Sequence, residues 1–218
     1  VCLQDGDEIV IIDDASTDDT VAWLKKRYSL KEHKDRASFD EDLYEHKVTL
    51  KAKTLNIRLV VNKHNLRFAR SVNKAVTFAQ NDLLFLLNND VSPAKNILST
   101  LLPYFTPHPD RVNKAGNGLP SPDQVFGVSP AEIENGKIVA GKNNLWFERG
   151  MFNHSKAHKM TSGETAWVSG GSALINKMKW EELQGFDVEY YPAYWEDIDL
   201  SARARKKGWK VWFESKAH

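Results

Sequence analysis

The stretch Glu8-Ile-Val-Ile-Ile-Asp-Asp-Ala-Ser-Thr-Asp-Asp-Thr20 contains the transition that decides the fold. Its β-branched beginning predicts a buried strand of a parallel sheet, because strands covered on both faces have continuous apolar runs. The run stops at Asp13 and Asp14. Ser16 or Thr17 is then expected to cap a helix, so we predict a strand, a polar loop and a helix in immediate succession.

The same succession is expected again along the chain. A second apolar run, 57–61, ends at Asn62 and is followed by helical spacing over 71–79. A third run, 82–87, stops at Asn88-Asn89-Asp90. Three buried strands with intervening helices predict an α/β, Rossmann-like fold with a mostly parallel central sheet flanked by helices. Ligands bind beyond the carboxyl ends of such strands, so these polar strand ends are candidate site residues.

Composition is that of an ordinary globular chain. The 218 residues carry 30 Lys+Arg against 29 Asp+Glu, a net charge of +1, which argues against nucleic-acid binding through bulk positive charge. The lone Cys2 cannot form an internal disulfide, which favours a reducing compartment. No apolar run approaches the roughly 20 residues that cross a bilayer, so we expect a soluble domain. The chain lacks an initiator Met and is expected to begin inside a larger gene product.

The remaining patterns are weaker. Residues 29–54 are charge-rich and are interpreted as a surface helix or a loop-rich insertion. Residues 106–150 are predicted to be irregular connections around a short hairpin that turns at Asn135-Gly136. Further helices are expected at 96–104, 179–183 and 201–207, and further strands within 166–175 and at 209–213.

Two acidic motifs are candidates for chemistry. Asp90, at a strand end, can bind a hard divalent cation, although an Asx turn explains the same residues. Glu196 and Asp197 are expected at the start of a helix, where the helix dipole favours acidic residues whatever they do. In the functional interpretation one of them is a general base, because the neighbouring Tyr194 and Trp195 would raise a carboxylate pKa toward the working range.

Other features have two interpretations each. Asp13 and Asp14 can bind a nucleobase or ribose, or cap the first helix, although capping does not need both carboxylates. The pair Gly170-Gly171 fits either close approach of a ligand or a bend in the sheet. His154 and His158, four residues apart, are a minority hypothesis for a metal site.

Four segments, in this order, resemble glycosyltransferase family 2, the inverting group with the GT-A fold. The opening stretch resembles its nucleotide-binding loop, and residues 62–75, NKHNLRFARSVNKA, resemble its next conserved segment. Residues 86–93 resemble the metal-binding DXD position in an Asn-Asn-Asp form, and residues 167–175 with 185–208 resemble the acceptor-side run. Each segment is unspecific alone, but together they bracket nearly the whole chain.

The resemblance implies roles on the donor side. Asp14, with Asp13, would contact the base and ribose of a nucleotide diphosphate sugar. Asp90 would bind Mn²⁺ or Mg²⁺ on the diphosphate, with Asn89 nearby. Arg67 stands where the family usually has Gly; it either pairs with the diphosphate, to which it is assigned, or points to solvent.

The resemblance also implies roles on the acceptor side. Asp197 would be the general base that deprotonates the acceptor hydroxyl, and Glu196 would bind the acceptor or orient the base. Gly170, Gly171 and Trp195 are assigned to acceptor binding. One in-line displacement would then invert the anomeric centre.

We therefore predict one GT-A-like domain, with 1–100 as the nucleotide-sugar half and 101–218 as the acceptor half. It would transfer a hexose or deoxyhexose to a glycan or lipid-linked acceptor in polysaccharide biosynthesis, in the cytoplasm, with peripheral association at the inner face of a membrane as an option. The family's first strand would precede Val1, and Asn88 replaces the first DXD carboxylate. These departures leave open a nucleotidyltransferase or a degenerate carbohydrate-binding or scaffold domain. His218 lies a few residues early for the family's metal-proximal His and is not assigned.

Overall fold

The computed structural model describes residues 3–33, 40–50, 53–107 and 119–218. Cys2 and part of the charge-rich segment thus lie outside the described residues. The chain divides into two compact units. The N-terminal unit comprises Leu3–Asn81 and Phe186–Tyr194, and the C-terminal unit comprises Asp82–Gly185 and Trp195–His218.

The N-terminal unit is a four-stranded sheet with two helices. Its elements are β1 (Glu8–Asp13), α1 (Thr20–Tyr28), β2 (Lys31–Glu32), β3 (Glu41–Leu50), β4 (Lys53–Asn62) and α2 (Arg67–Phe78). The strand order is β1-β4-β3-β2; β1 pairs with β4 in parallel, whereas β3 pairs with β4 antiparallel. Leu30, Tyr44, Ile57 and Leu59 form its buried core. The predicted first strand, second strand and second helix are thereby confirmed, with the second strand and helix each beginning earlier than expected. The predicted burial of the first strand is not confirmed, because β1 lies at the edge of the sheet and is half-buried except at Asp13.

The interpretation of 29–54 as a surface helix or loop-rich insertion is wrong for the described residues, which form β2, β3 and the beginning of β4. Carboxylates of this segment pair with cations of other elements. Glu45 on β3 accepts a hydrogen bond from Arg58 Nε at 2.5 Å, and Glu41 pairs with Lys74 Nζ at 2.7 Å. A ten-residue antiparallel pairing with β4 supplies the backbone partners, so long-range pairing overrides the weak local pattern.

The expected cap of α1 is also wrong. The helix begins at Thr20, and neither Ser16 nor Thr17 caps it; Asp19 occupies the N-cap position without a side-chain hydrogen bond. Asp18 Oδ1 instead accepts the N–H of Thr20 at 3.0 Å. The hydroxyl residues belong to the turn that leaves β1.

The C-terminal unit contains the larger sheet. Its strands are β5 (Leu83–Leu87), β6 (Val125–Pro130), β7 (Glu132–Glu134), β8 (Lys137–Ala140), β9 (Asn143–Glu148), β10 (Met151–Lys156), β11 (Gly163–Glu164), β12 (Ser172–Asn176) and β13 (Lys210–Glu214). Its helices are α3 (Ile97–Leu101), α4 (Lys177–Glu182) and α5 (Glu196–Lys206). Five strands form a sheet in the order β11-β13-β6-β12-β5, while β7 pairs with β8 and β9 with β10.

The expectation of a mostly parallel sheet is only partly confirmed. Among the described strands, β1 is parallel to β4 and β6 is parallel to β13, but β5 pairs antiparallel with β12. The apolar run of β5 indicated a covered strand and carried no information about the direction of its neighbour. The α/β class itself is correct.

Residues 106–150 are more regular than predicted in their described part. The turn at Asn135-Gly136 is confirmed, and its backbone has positive φ at both residues, 50° and 73°, as a type I′ hairpin turn requires. The structure adds β6 and β9, which the sequence pattern missed. β6 is buried along its whole length and therefore shows no alternation.

The later elements follow the prediction closely. The helix expected at 96–104 is α3 followed by a 3-10 turn, and α4 and β13 occupy the predicted places. α5 begins at Glu196, which confirms the acidic pair at a helix start but is earlier than the start of the helix expected at 201–207. Within 166–175, only the portion in β12 is a strand. No helix among residues 3–33, 40–50, 53–107 and 119–218 has the length and apolar character needed to cross a bilayer.

A buried ion-pair network generates a stability prediction. Arg58 on β4 is 2% exposed and binds Glu8 of β1, Glu45 of β3 and the carbonyl of Phe78. Arg58→Ala would leave two carboxylates without their cation, so we expect the free energy of unfolding to fall by about 3–5 kcal/mol.

Urea unfolding of the purified protein measures this loss. Lys63→Ala is the matched control, because the Lys63–Asp42 pair is partly exposed to solvent and such pairs contribute little to stability. Equal losses in the two variants would contradict the assignment of Arg58 as the central cation of this sheet.

Candidate functional site

The carboxylate of Asp14 joins three pieces of the N-terminal unit. It accepts hydrogen bonds from Asn62 Nδ2 at 2.9 Å, from the N–H of Leu66 at 2.8 Å and from the N–H of Arg67 at 2.8 Å. Leu66, at the N-cap of α2, has no side-chain cap of its own. Asp14 therefore supplies the capping acceptor from the end of β1. A carboxylate offers about four acceptor positions, so one remains for a ligand.

Asp13 is buried and has a local partner: its Oδ1 accepts the N–H of Ser16 at 3.0 Å. Arg67, the third predicted donor-side residue of this unit, is exposed and begins α2 with φ of 66°. Glycine adopts that left-handed backbone without steric cost, which explains why the family usually has Gly there. The structure thus brings Asp13, Asp14 and Arg67 to one end of the N-terminal sheet.

In the C-terminal unit, the glycine pair lies between the two acidic motifs. The N–H of Gly170 donates to Asp197 Oδ2 at 3.2 Å, while the carbonyl of Gly171 accepts the N–H of Asn88 at 2.9 Å. A Cβ on Gly171 would lie 2.7 Å from the Asn88 side chain, which is too close for a non-bonded contact. Gly171 therefore permits the close approach of the loop that carries Asn89 and Asp90.

Asn89 and Asp90 form an exposed turn at the end of β5, closed by a hydrogen bond from the N–H of Val91 to the carbonyl of Asn88 at 3.2 Å. Both interpretations of Asp90, turn residue and cation ligand, fit this geometry. The N–H of Ala94 donates to the carbonyl of His218 at 2.8 Å, so the last described residue lies beside this loop.

Asp197 is held at the beginning of α5. Its second oxygen, Oδ1, accepts the N–H of Ile198 at 2.8 Å. Burial raises the pKa of Asp197 above its ordinary value, and the N–H groups of Gly170 and Ile198 together with the charge of His154 oppose that rise. The carboxylate is thus oriented by backbone donors in an environment that favours proton uptake.

Glu196 is 5% exposed, and its Oε2 has no hydrogen-bond partner among the residues that the structure describes. Burial raises the pKa of Glu196 as well, with a further contribution from the neighbouring charge of Asp197. A buried carboxyl oxygen without a partner is costly unless it is protonated or meets a ligand group.

An aromatic cluster lies beside the start of α5, and the sequence did not reveal it. The ring of His154, on β10, makes edge-to-face contacts with Trp195 at 5.4 Å and with Trp167 at 5.7 Å between centroids. No local pattern signals this arrangement, because the three residues come from separate segments. The described residues contain no group of three His, Cys, Asp or Glu side chains arranged to hold a metal, so the His154–His158 metal hypothesis gains no support.

Asp90 alone has the chemistry of a metal ligand at the DXD position. One exposed carboxylate, with an amide oxygen on Asn89, is an incomplete set for a hard cation, which takes six or more oxygens. Such a set fits a cation whose remaining ligands are diphosphate oxygens and water.

The structure is similar to that of a known GT-A glycosyltransferase. A crystal structure of GalNAc-T7 with UDP, GalNAc and Mn2+ superposes with a TM-score of 0.64, at 15% sequence identity, over 96% of this chain and 36% of that chain. At this identity the likeness establishes the fold alone, and the fold is GT-A.

Residues 1–184 match Glycosyl transferase family 2, and the chain belongs to this family. Curated relatives from two strains of Mycobacterium tuberculosis are N-acetylglucosaminyl-diphospho-decaprenol L-rhamnosyltransferases, 25% identical over 172 residues. The match covers 71% of this chain and 55% of theirs, so the chain spans about half the length of these relatives. The predicted family and the glycosyltransferase class are confirmed, and the nucleotidyltransferase alternative is set aside.

The environment of Asp197 generates a pH prediction. Because burial raises its pKa in the folded protein, folding favours the protonated form, and the charged form costs stability as pH rises above the ordinary pKa of 3.8. Asp197→Asn cannot take that charge. We expect the variant to gain stability relative to the wild type as pH rises from about 4 to 7. Thermal unfolding across this range is the measurement, and parallel stability curves for the two proteins would refute the raised pKa.

Proposed function

We propose that this chain transfers a deoxyhexose or hexose from a nucleotide diphosphate sugar to a hydroxyl of a lipid-linked or glycan acceptor, with inversion at the anomeric centre. The observation that carries the proposal is the carboxylate of Asp197, oriented by two backbone N–H groups at the start of α5 in an aromatic surrounding. The names of the mycobacterial relatives support a deoxyhexose donor and a polyprenyl diphosphate acceptor.

Asp197 is the proposed general base. Its charged form would accept the proton of the acceptor hydroxyl as the oxygen attacks the anomeric carbon, and the nucleoside diphosphate would leave from the opposite face. Burial raises the pKa of Asp197, which makes its carboxylate a stronger base than that of an exposed aspartate. The N–H groups of Gly170 and Ile198 hold both oxygens in place, which limits the loss of orientation during proton transfer.

The proposed residues of the sugar-acceptor site are Glu196, Trp195, Gly170 and Gly171. The unpartnered Oε2 of Glu196 is a suitable acceptor for a sugar hydroxyl, and the indole of Trp195 offers an apolar face to a sugar ring. Gly170 acts through Asp197, and Gly171 leaves room for the loop that follows β5.

The proposed residues for binding the nucleotide diphosphate sugar are Asp13, Asp14, Arg67, Asn89 and Asp90. Asp14 has acceptor capacity left for a ribose or base group, and the exposed guanidinium of Arg67 suits a diphosphate. Asp90, with Asn89, would hold Mn²⁺ or Mg²⁺, which when bound would neutralise the charge of the departing diphosphate.

We further propose that residues 1–218 act as one catalytic domain, with residues 1–100 as its nucleotide-sugar half and 101–218 as its acceptor half. A lipid-linked acceptor would require work at a membrane surface, and a nucleotide-sugar donor supports a cytoplasmic location.

The base assignment predicts the effect of Asp197→Asn on turnover. Loss of general-base catalysis should lower kcat by about 10²- to 10⁴-fold, while the dissociation constant of the nucleoside diphosphate changes little. The assay combines a panel of nucleotide sugars, Mn²⁺ and a polyprenyl diphosphate N-acetylglucosamine acceptor, with calorimetry for nucleotide binding. Glu181→Gln is the matched control, because this carboxylate lies on α4, is exposed and pairs only with Lys177 among the described contacts. Wild-type turnover in Asp197→Asn would exclude it as the base.

The position of Arg67 separates stability from binding. Arg67→Gly removes a left-handed non-glycine residue, so the free energy of unfolding should rise by about 1 kcal/mol. The same change removes the guanidinium, and affinity for a nucleoside diphosphate should fall by about tenfold. Arg70→Ala, an exposed cation one turn further along α2, is the control for binding. Unchanged affinity in Arg67→Gly would show that the guanidinium does not contact the diphosphate.

A further inference from the structure

The hairpin formed by β9 and β10 presents large apolar side chains to solvent at its tip. Trp146 is 43% exposed, Phe147 63%, Met151 65% and Phe152 62%. We call these four residues the tip cluster. Exposed apolar residues are ordinary when scattered, but a contiguous group within one hairpin marks an interaction surface.

The tip cluster covers both faces of the ribbon. Phe147 is paired with Phe152 across the strands, with ring centroids 5.1 Å apart, so these two side chains share one face. Trp146 and Met151 alternate with them and therefore lie on the other face. A flat protein partner would cover only one of the two faces. A lipid interface surrounds an inserted tip and removes both faces from water.

The charge of the hairpin region favours an anionic surface. Between residues 142 and 159 the cations are Lys142, Arg149, Lys156 and Lys159, and Glu148 is the single acidic residue. Arg149 lies in the turn itself, with its side chain 89% exposed and its Nε 3.8 Å from Glu148 Oε1, so one of the four cations has an acidic neighbour. Aromatic residues flanked by Lys and Arg are typical of elements that lie in the headgroup region of anionic membranes.

The hairpin is continuous with the proposed acceptor site. His154 pairs with Leu145 in the same ladder and shares its face with Phe147 and Phe152. Its ring contacts Trp195, which directly precedes Glu196 and Asp197. A membrane that receives the tip would therefore lie on the side of the C-terminal unit where the base is held.

We propose that the β9–β10 hairpin inserts the tip cluster into the surface of a membrane that contains anionic lipids, and so brings a lipid-linked acceptor to Asp197. The second half of this statement rests on the proposed function. The first half, membrane insertion of the hairpin, does not, and it is measurable whether or not the chain transfers sugar.

Vesicle co-sedimentation of the full chain tests the insertion. With vesicles of phosphatidylcholine containing about 30% phosphatidylglycerol, the double variant Phe147→Ser/Phe152→Ser should partition at least about tenfold more weakly than the wild type. The charge variant Arg149→Glu/Lys156→Glu should lose binding to the same vesicles, and added salt should weaken wild-type binding. Trp23→Ser and Met178→Ser are matched controls, because these exposed apolar residues lie outside the hairpin, at 55% and 69% exposure, and should bind as the wild type does.

Fluorescence provides a second measurement that does not depend on how the Ser variants fold. Brominated lipids in the vesicles should quench part of the tryptophan fluorescence of the wild type. The quenched part should be the emission of Trp146, and it should therefore be missing in Trp146→Phe. Equal partitioning of the wild type and the hairpin variants, or quenching that is unchanged in Trp146→Phe, would overturn the proposal. Concentration-dependent self-association without vesicle binding would also overturn it and would assign the tip to a second copy of the chain.

Turnover distinguishes this proposal from the proposed function. In Phe147→Ser/Phe152→Ser, transfer to a polyprenyl acceptor in vesicles should fall in proportion to binding, whereas transfer to a short-chain water-soluble acceptor should remain at the wild-type rate. Vesicle binding by a chain that transfers no sugar would refute the proposed function and leave the membrane contact standing.

Discussion

The structure depends on carboxylates that accept hydrogen bonds from backbone N–H groups where elements begin and end. Asp14, after β1, holds the N–H groups at the start of α2 and the side chain of Asn62 at the end of β4. Asp197, at the start of α5, holds the N–H of Gly170 in the same way. Hydrogen bonds to a charged group contribute about 1.5–3 kcal/mol each, so each carboxylate is a substantial local constraint. The N–H groups at the start of a helix have no partner within that helix, and for the N–H of Arg67 the side chain of Asn65 supplies a second acceptor at 3.0 Å.

The same carboxylates that bind backbone N–H groups are candidates for ligand chemistry, and this changes how the acidic residues are interpreted. Asp13 and Asp14 are neither simple helix caps nor groups reserved for a ligand, because both already have backbone partners and Asp14 keeps only part of its acceptor capacity. The glycine pair is similar: Gly170 orients a carboxylate, while Gly171 accommodates Asn88. In a GT-A fold, ligands bind beyond the ends of the strands. Residues at these ends are therefore expected both to stabilise the turn that follows the strand and to face the ligand.

Burial has opposite consequences in the two units. In the N-terminal sheet, Arg58 is buried with two carboxylates in contact, so the charges compensate each other. At the start of α5, Glu196 and Asp197 are adjacent carboxyl groups without a described cation in direct contact, and burial raises the pKa of both. The first arrangement stabilises a sheet. The arrangement at the start of α5 makes the carboxylates take up a proton more readily, which is the property required of a general base. The exposed tip cluster is a third case, because apolar side chains in contact with water are stabilised only when a partner or a lipid surface covers them.

The sequence by itself determined the α/β class, the strands β1, β4, β5 and β13, the helix beginning at Glu196 and the family. These features depend on local periodicity, turn chemistry and motif order, all of which are written in neighbouring residues. Only the tertiary structure decided that β5 pairs antiparallel with β12, that the charged segment around Glu45 is a strand, and that His154 lies between Trp167 and Trp195. The physical reason is that periodicity reports which faces of an element are covered, whereas pairing direction, ion-pair partners and ring contacts depend on residues far away in the chain.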